Sequence, residues 1–349
     1  MARKKKERLK KKVYLLFIIV LLLFIGVLFV INKDRFLNTV DNIVEKLPTE
    51  EVKKLEIVDI ESKSRPIAIM INNHPAARKF HTGLQEAYLT YEIIVEGGYT
   101  RYMSLFKDVQ LEKVGSVRSS RHYFLDYVLE NDAIYAHFGW SDPAMNDISS
   151  FGINNINGLY DDYTWRDTSL DRAYEHTAFT SIENITKQVN NKGYRTETNQ
   201  DLLLNYSVDE INLESKNDSI VANNVSIQYS YYHTTSYEYD SVNKVYKRSM
   251  SGVANTDLVT GEQYTVKNII TYQVEDVAHE SIDKLRNLKN IGSGTGYYIT
   301  NGYAVPITWE KSSRSGQTIY KYQDGNEIDV NDGNTFIQIQ PKNMQLTIN

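Results

Sequence analysis

Two arginines three residues apart, Arg118 and Arg121, stand in the stretch VGSVRSSRHYF at 114–124. A guanidinium binds carboxylate or phosphate through paired N–H donors. Tyr123, Phe124, Tyr127 and Val128 follow at helical spacing behind Ser119 and Ser120, so the pattern predicts a helix over about 119–130. The free N–H groups at a helix start already favour an anion. Two cations placed there cost a few tenths to ~1 kcal/mol each. Some anion must answer them: an internal carboxylate, with Glu92 and Asp167 as candidates, or a bound ligand.

Other residues could share that chemistry. His74, in INNHPAAR, falls just past a predicted strand end, where site residues often sit. His176 lies in a polar loop crowded with Arg166, Asp167, Arg172 and Glu175, more charge than a connector needs. This makes Arg118, Arg121, His74 and Asp167 the candidate ligand-binding residues, with Glu92 or His176 as candidate catalytic acid or base. In a strand Glu92 and Glu96 would be about 13 Å apart, beyond the roughly 5–9.5 Å of a glycosidase pair. Glu96 is expected opposite Arg101 as a cross-strand ion pair. For each of these groups the competing reading is an internal salt-bridge network or a solvated loop.

Several chemistries find no motif. The chain has no cysteine, hence no disulfide, thiolate zinc site or lipid-bearing cysteine. Its seven histidines show neither H-x-x-x-H nor H-E-x-x-H spacing, so no metal site is expected. G-x-S-x-G, the P-loop and G-x-G-x-x-G are absent, and no cofactor is expected. S-x-x-K occurs at Ser241–Lys244 and Ser281–Lys284 without its companion motifs and reads as chance.

The elements that must position these residues begin after a distinctive start. MARKKKERLKKK (1–12) holds eight basic residues and one acidic one, and nineteen uncharged residues follow at Val13–Ile31. At 1.5 Å per residue such a helix spans roughly 28 Å, enough for a bilayer core. Nothing after it resembles a cleavage site, so it reads as one uncleaved transmembrane helix. The basic tail stays in the cytoplasm and residues 32–349 face outward, giving a single-pass protein of the cell membrane. Removing the tail's +7 from the chain's −5 leaves −12 for the rest, which argues against nucleic acid as a partner.

A charged stalk is expected over 32–63, a mixed α/β domain over 64–205 and a β-rich domain over 206–349, an α+β protein overall. PIAIMINN and AIYAHFGW read as strands; YLTYEIIVE and RYMSLFK flank GGYT as a hairpin. TSIENITKQVNNKGY reads as a helix capped by Ser181, buried through Ile182, Ile185 and Val189, and stopped at Gly193. In the second half Val225, Ile227, Tyr229 and Tyr231 alternate, and SYEYDSVNKVYKR reads as a hairpin. Asn301–Gly302, Asp324–Gly325 and Asp332–Gly333 are turn signals between alternating runs.

In order, RPIAIMINNHPAAR, GLQEA, YEIIVEGGYTRYMSLF, VGSVRSSRHYFLDY, HFGWSDPA, WRD and HTAFTS resemble the YerB-like family of bacterial envelope proteins. So do YEYDSVNKVYKR, ITWEKSS and DGNEIDVNDGNTFIQI further on. The resemblance spans roughly residues 62–345. It implies an envelope location and a two-part architecture and carries no activity, since the family is catalogued as a domain of unknown function with N- and C-terminal parts. Two departures stand out. Many relatives look like lipoproteins, whereas this chain has no cysteine. Thr177 follows His176 where the family pattern usually has asparagine, which argues against a His–Asn arrangement.

Three functions are therefore expected in turn. The first is a membrane-tethered module that binds an anionic cell-envelope ligand, a wall carboxylate or phosphate, or docks an envelope protein. The second is a cell-wall-modifying enzyme of hydrolase type using His176 or Glu92. The third is a protein-interaction or assembly module, favoured by exposed tyrosines.

Overall fold

The computed structural model describes residues 16–23, 26, 54–279, 282 and 284–349. Residues 16–23 and 26 are helical and exposed; the rest of the apolar run 13–31, the basic tail and the stalk up to residue 53 lie outside the described residues. Among the described residues no helix is long and apolar enough to cross a membrane.

Residues 54–349 form one compact unit. Its strands, in chain order, include β1 (Ile67–Asn72), β2 (Leu89–Ile94), β3 (Thr100–Phe106), β4 (Ile134–His137) and β5 (Asn155–Asn157). After them come β6 (Asn224–Ser230), β7 (His233–Asp240), β8 (Val245–Met250), β9 (Asn268–Val274), β10 (Gly292–Thr300), β11 (Tyr303–Lys311) and β12 (Thr335–Pro341). The helices are few: α1 (Leu125–Glu130), α2 (Asp142–Ser150) and α3 (Ile182–Asn191). The fold is thus mixed α and β with a β-rich C-terminal part.

The central sheet runs β11-β10-β9-β12-β2-β3-β1-β4-β5 through its middle. β12 lies parallel to both β2 and β9, so strands from both expected domains share one ladder. The cause is legible in burial: every residue of β2, β3 and β12 is buried, as strands covered on both faces must be. β6, β7 and β8 form an antiparallel meander in a second sheet. Residues 54–63, expected in the stalk, pack on the unit. Val58 is buried, the Glu56 and Ile57 amides donate to Asp332, and Lys107 Nζ donates to the Ser62 carbonyl.

Most local expectations hold. Gly97 and Gly98 turn the β2–β3 hairpin with φ of 73° and 76°, values only glycine adopts without strain. Ser181 Oγ accepts the Asn184 amide at 3.0 Å to cap α3, and Ile182, Ile185 and Val189 bury its apolar face. Asn301–Gly302 joins β10 to β11.

Three local expectations are corrected. Tyr231 does not continue the buried alternation, because β6 ends at Ser230 and Tyr231 sits exposed on the hairpin tip. Asp332–Gly333 bends the chain between two strands as expected, but those strands do not pair as a hairpin. The strand before it, Asp329–Asn331, pairs with Asn205–Ser207, whereas β12 enters the central sheet.

The third concerns the helix expected at 119–130, which begins later, as a short 3-10 turn at His122–Phe124 running into α1. The Arg118 amide instead donates to the Met70 carbonyl, and the Arg118 carbonyl accepts from the Phe138 amide. Ser120 pairs likewise with Gly139. Sheet-edge partners satisfy this backbone better than a helical turn would, so Arg118 is not at a helix start.

Candidate functional site

β1, β2, β4 and β5 run in the same direction; the loop leaving the carboxyl end of β1 carries His74 and Arg78, and the segment 164–177 that follows β5 carries Arg166, Arg172 and His176. This is where open α/β sheets commonly bind ligands. Past β1, the main chain turns at His74-Pro75-Ala76, with the Ala77 amide bonded to the His74 carbonyl. The polar loop 167–177, which joins the paired short strands Thr164–Arg166 and Ala178–Thr180, folds over this end and finishes in a 3-10 turn at Tyr174–His176.

His74 and His176 stack, with ring centroids 4.9 Å apart and planes 13° from parallel. Asn72 sets one ring: its Oδ1 accepts the His74 amide, so its Nδ2 donates to His176 Nδ1 at 2.8 Å. His74 Nδ1 in turn accepts the Ala76 amide at 3.2 Å. Each ring therefore carries its proton on Nε2, and neither Nε2 has a hydrogen-bond partner among the described residues. Both histidines are held below the ordinary histidine pKa, first by desolvation and then by Arg118.

The arginines divide into two sets. Arg65, Arg101, Arg121, Arg195, Arg248, Arg286 and Arg314 each have a carboxylate within 4.0 Å. Among the described residues Arg78, Arg118, Arg166 and Arg172 have none. Arg118 donates to the Glu175 carbonyl at 2.9 Å and Arg166 to the Tyr174 carbonyl. Arg166 lies between the rings of Phe138 and Tyr174, at 4.5 and 4.1 Å; Arg172 lies 4.7 Å over Phe80. These four converge. Arg78 and Arg118 act on His74, Arg118 and Arg172 on His176, and Arg166 on Arg118.

Glu175 acts on Arg118 and on both histidines without an ion pair within 4.0 Å; the other internal acids near the site are otherwise engaged. Arg121, expected to share an anion with Arg118, holds Glu96 through two bonds of 2.7 and 2.8 Å. Arg101 reaches the same carboxylate at 4.0 Å, so the expected Glu96–Arg101 pair exists as the weaker arm of a three-residue cluster. Asp167 pairs with Lys113 at 2.7 Å and answers neither arginine.

Glu92 is completely buried in β2, away from the histidine pair. It bonds Arg248 at 2.7 Å, His233 at 3.0 Å, Thr235 at 2.9 Å and Thr100 at 2.7 Å. Arg248 and these donors hold its carboxyl far below the usual range against the opposing cost of burial. Sealed in this way, it has no open face for a substrate.

The network continues to the site from beneath. Arg248 donates to Asn255, Asn255 to His81 Nδ1, and His81 Nε2 to the Asn72 carbonyl at 2.6 Å. Arg78 bridges His233 Nδ1 and the Asn73 carbonyl. Sequence reasoning missed Arg78, Asn72, His233, Arg248 and Asn255. Asn72 and Arg78 were within reach, two residues before and four after His74, whereas the others become neighbours only through the tertiary fold. Among the described residues no group of three His, Asp or Glu side chains could hold a metal ion.

Family models match in two parts: "Protein of unknown function (DUF3048) N-terminal domain" over residues 55–195 and its C-terminal domain over residues 225–337. The chain is 31% identical over 288 residues to "Putative lipoprotein YerB" of Bacillus subtilis (strain 168), covering 80% of this chain and 82% of the relative. The crystal structure of the YerB protein from Bacillus subtilis superposes with a TM-score of 0.70 at 27% identity, over 82% of this chain and 94% of that one. The chain belongs to the YerB-like family, the one described by the DUF3048 domains.

Proposed function

We propose that residues 54–349 form an extracytoplasmic module that binds an anionic ligand of the cell envelope, tethered to the membrane by the apolar run 13–31. One observation carries the binding reading: the four described arginines with no carboxylate within 4.0 Å cluster about the stacked His74–His176 pair, Arg78, Arg118 and Arg172 acting on the rings and Arg166 on Arg118, with Glu175 as the facing carboxylate. Elsewhere this protein neutralises its guanidinium groups with internal acids. Repulsion between Arg118 and Arg166 is tolerated where an incoming anion relieves it. Two Nε2–H donors beside them complete a set suited to carboxylate or phosphate oxygens. A positive spot on a body of net charge −11 also concentrates the field on one place.

The tether and outward placement are supported by the basic tail and uncharged run, and by a relative whose name describes a lipoprotein. Titration of the full chain with tetraglutamate and inorganic pyrophosphate tests the binding reading. At least one should bind, and the Arg118→Ala/Arg166→Ala variant should bind it tenfold or more weakly. No binding of either probe, or equal affinity in the variant, refutes it.

A further inference from the structure

The arginines of the site are interleaved with aromatic rings, and the rings form a row. Phe138 and Tyr174 sandwich Arg166, and Tyr174 is 68% exposed. Two residues on, His176 stacks on His74, and His74 meets the Tyr99 ring edge-on at 4.9 Å. Tyr99 follows the Gly97–Gly98 turn, to which the β6–β7 tip is fastened by a 2.6 Å bond from Ser230 Oγ to the Gly98 carbonyl. On that tip Tyr232 is 72% exposed, and its Cδ2 lies 3.4 Å from where a β-carbon on Gly98 would stand. Arg78 reaches the same tip through Ser251, whose hydroxyl donates to the Tyr232 carbonyl.

Resting on the anion-binding reading above, we infer that the ligand is an anionic glycan, a chain of sugar rings bearing carboxylate or phosphate groups. A small inorganic anion needs the guanidinium and imidazole donors but cannot reach the exposed tyrosines at either end of the row. An extended peptide is bound chiefly through main-chain hydrogen bonds to a strand edge, and this row presents loop side chains. A pyranose matches both features. Its C–H face lies flat on an exposed phenol ring, and its hydroxyls meet Tyr OH and imidazole N–H groups. Its charged substituents fall on the arginines between the rings. Ring-to-ring steps near 4.9 Å on either side of His74 extend the site well past one anionic group.

The test titrates the full chain with tetragalacturonate, a phosphorylated mannopentaose, neutral mannopentaose and tetraglutamate. One of the two charged glycans should bind at least tenfold more tightly than either tetraglutamate or the neutral sugar; which one identifies the anion as carboxylate or phosphate. Tyr174→Ala and Tyr232→Ala should each weaken that glycan fivefold or more, and Tyr232→Ala, which removes a ring that none of the four arginines lies over, should leave tetraglutamate within twofold, whereas Arg118→Ala should weaken both. Should tetraglutamate bind as tightly as the charged glycans, or the tyrosine variants leave glycan affinity unchanged, the glycan inference is overturned and the anion site stands. Should no anion bind, or Arg118→Ala change nothing, the anion reading fails and takes the glycan with it.

Discussion

Glu92 and Arg248 meet at 2.7 Å with both side chains wholly shielded from solvent, although 156 residues separate them along the chain. The pair joins β2 of the central sheet to β8 of the meander, and its outlying hydrogen bonds run through Asn255 and His81 to the floor of the histidine site.

A buried pair of this kind is costly to break on one side. Glu92→Gln or Arg248→Met should each lose about 3–5 kcal/mol of unfolding free energy by stranding the other group, whereas Glu92→Leu/Arg248→Met together should recover most of that loss. Urea unfolding measures all three, and the double variant remains informative where a single one does not fold. Single variants within about 1 kcal/mol of wild type would falsify the assigned role.

Arg118 and Arg121, three residues apart, should behave oppositely. Arg121→Ala removes a two-bond hold on Glu96 and should cost about 1.5–3 kcal/mol, the range for hydrogen bonds to charged groups. Arg118→Ala removes one bond to a carbonyl and the attraction of Glu175, against which it relieves burial of the cation and repulsion from Arg121 and Arg166, so stability should stay within about 0.5 kcal/mol of wild type or rise. Thermal melts of the two variants decide it. An equal loss in both would mean that Arg118 serves the fold and not a ligand.

Acid should unfold the protein through its interior histidines. Burial pushes His81 and His137 down to about 4 from an ordinary 6.5. Their folded-state pKa lies below the unfolded one, so the unfolded chain binds more protons between these values. Stability from this source is complete above pH 6.5 and lost as pH falls towards 4, by up to about 3 kcal/mol for each histidine. Denaturant unfolding at pH 7, 5.5 and 4.5 should show the decline, and His137→Gln should reduce its slope. A flat profile over that range would contradict it.

Much of the fold was legible because its signals are local. The Ser181 cap and Gly193 stop of α3, the Gly97–Gly98 turn and the Asn301–Gly302 hairpin depend on backbone conformations that a few neighbouring residues dictate. The helix boundary at Arg118 was not, because the carbonyls that capture this backbone lie far along the chain, Met70 on β1 and Gly139 in the loop after β4.

The candidate site divides in the same way. Residue type and crowding alone pointed to His74, His176 and Arg118, and to a loop rich in arginine. Which arginines are spent on internal acids was invisible, since Coulomb and hydrogen-bond energies are set by distances of a few ångströms and the chain order says nothing of these. Tertiary structure gave Arg121 to Glu96, Asp167 to Lys113 and Glu92 to Arg248. By sequence, this chain is a member of its family with a basic, apolar start and an acidic remainder. Only folding, by bringing distant strands into one sheet, decided which four of the described arginines are left without a carboxylate within 4.0 Å.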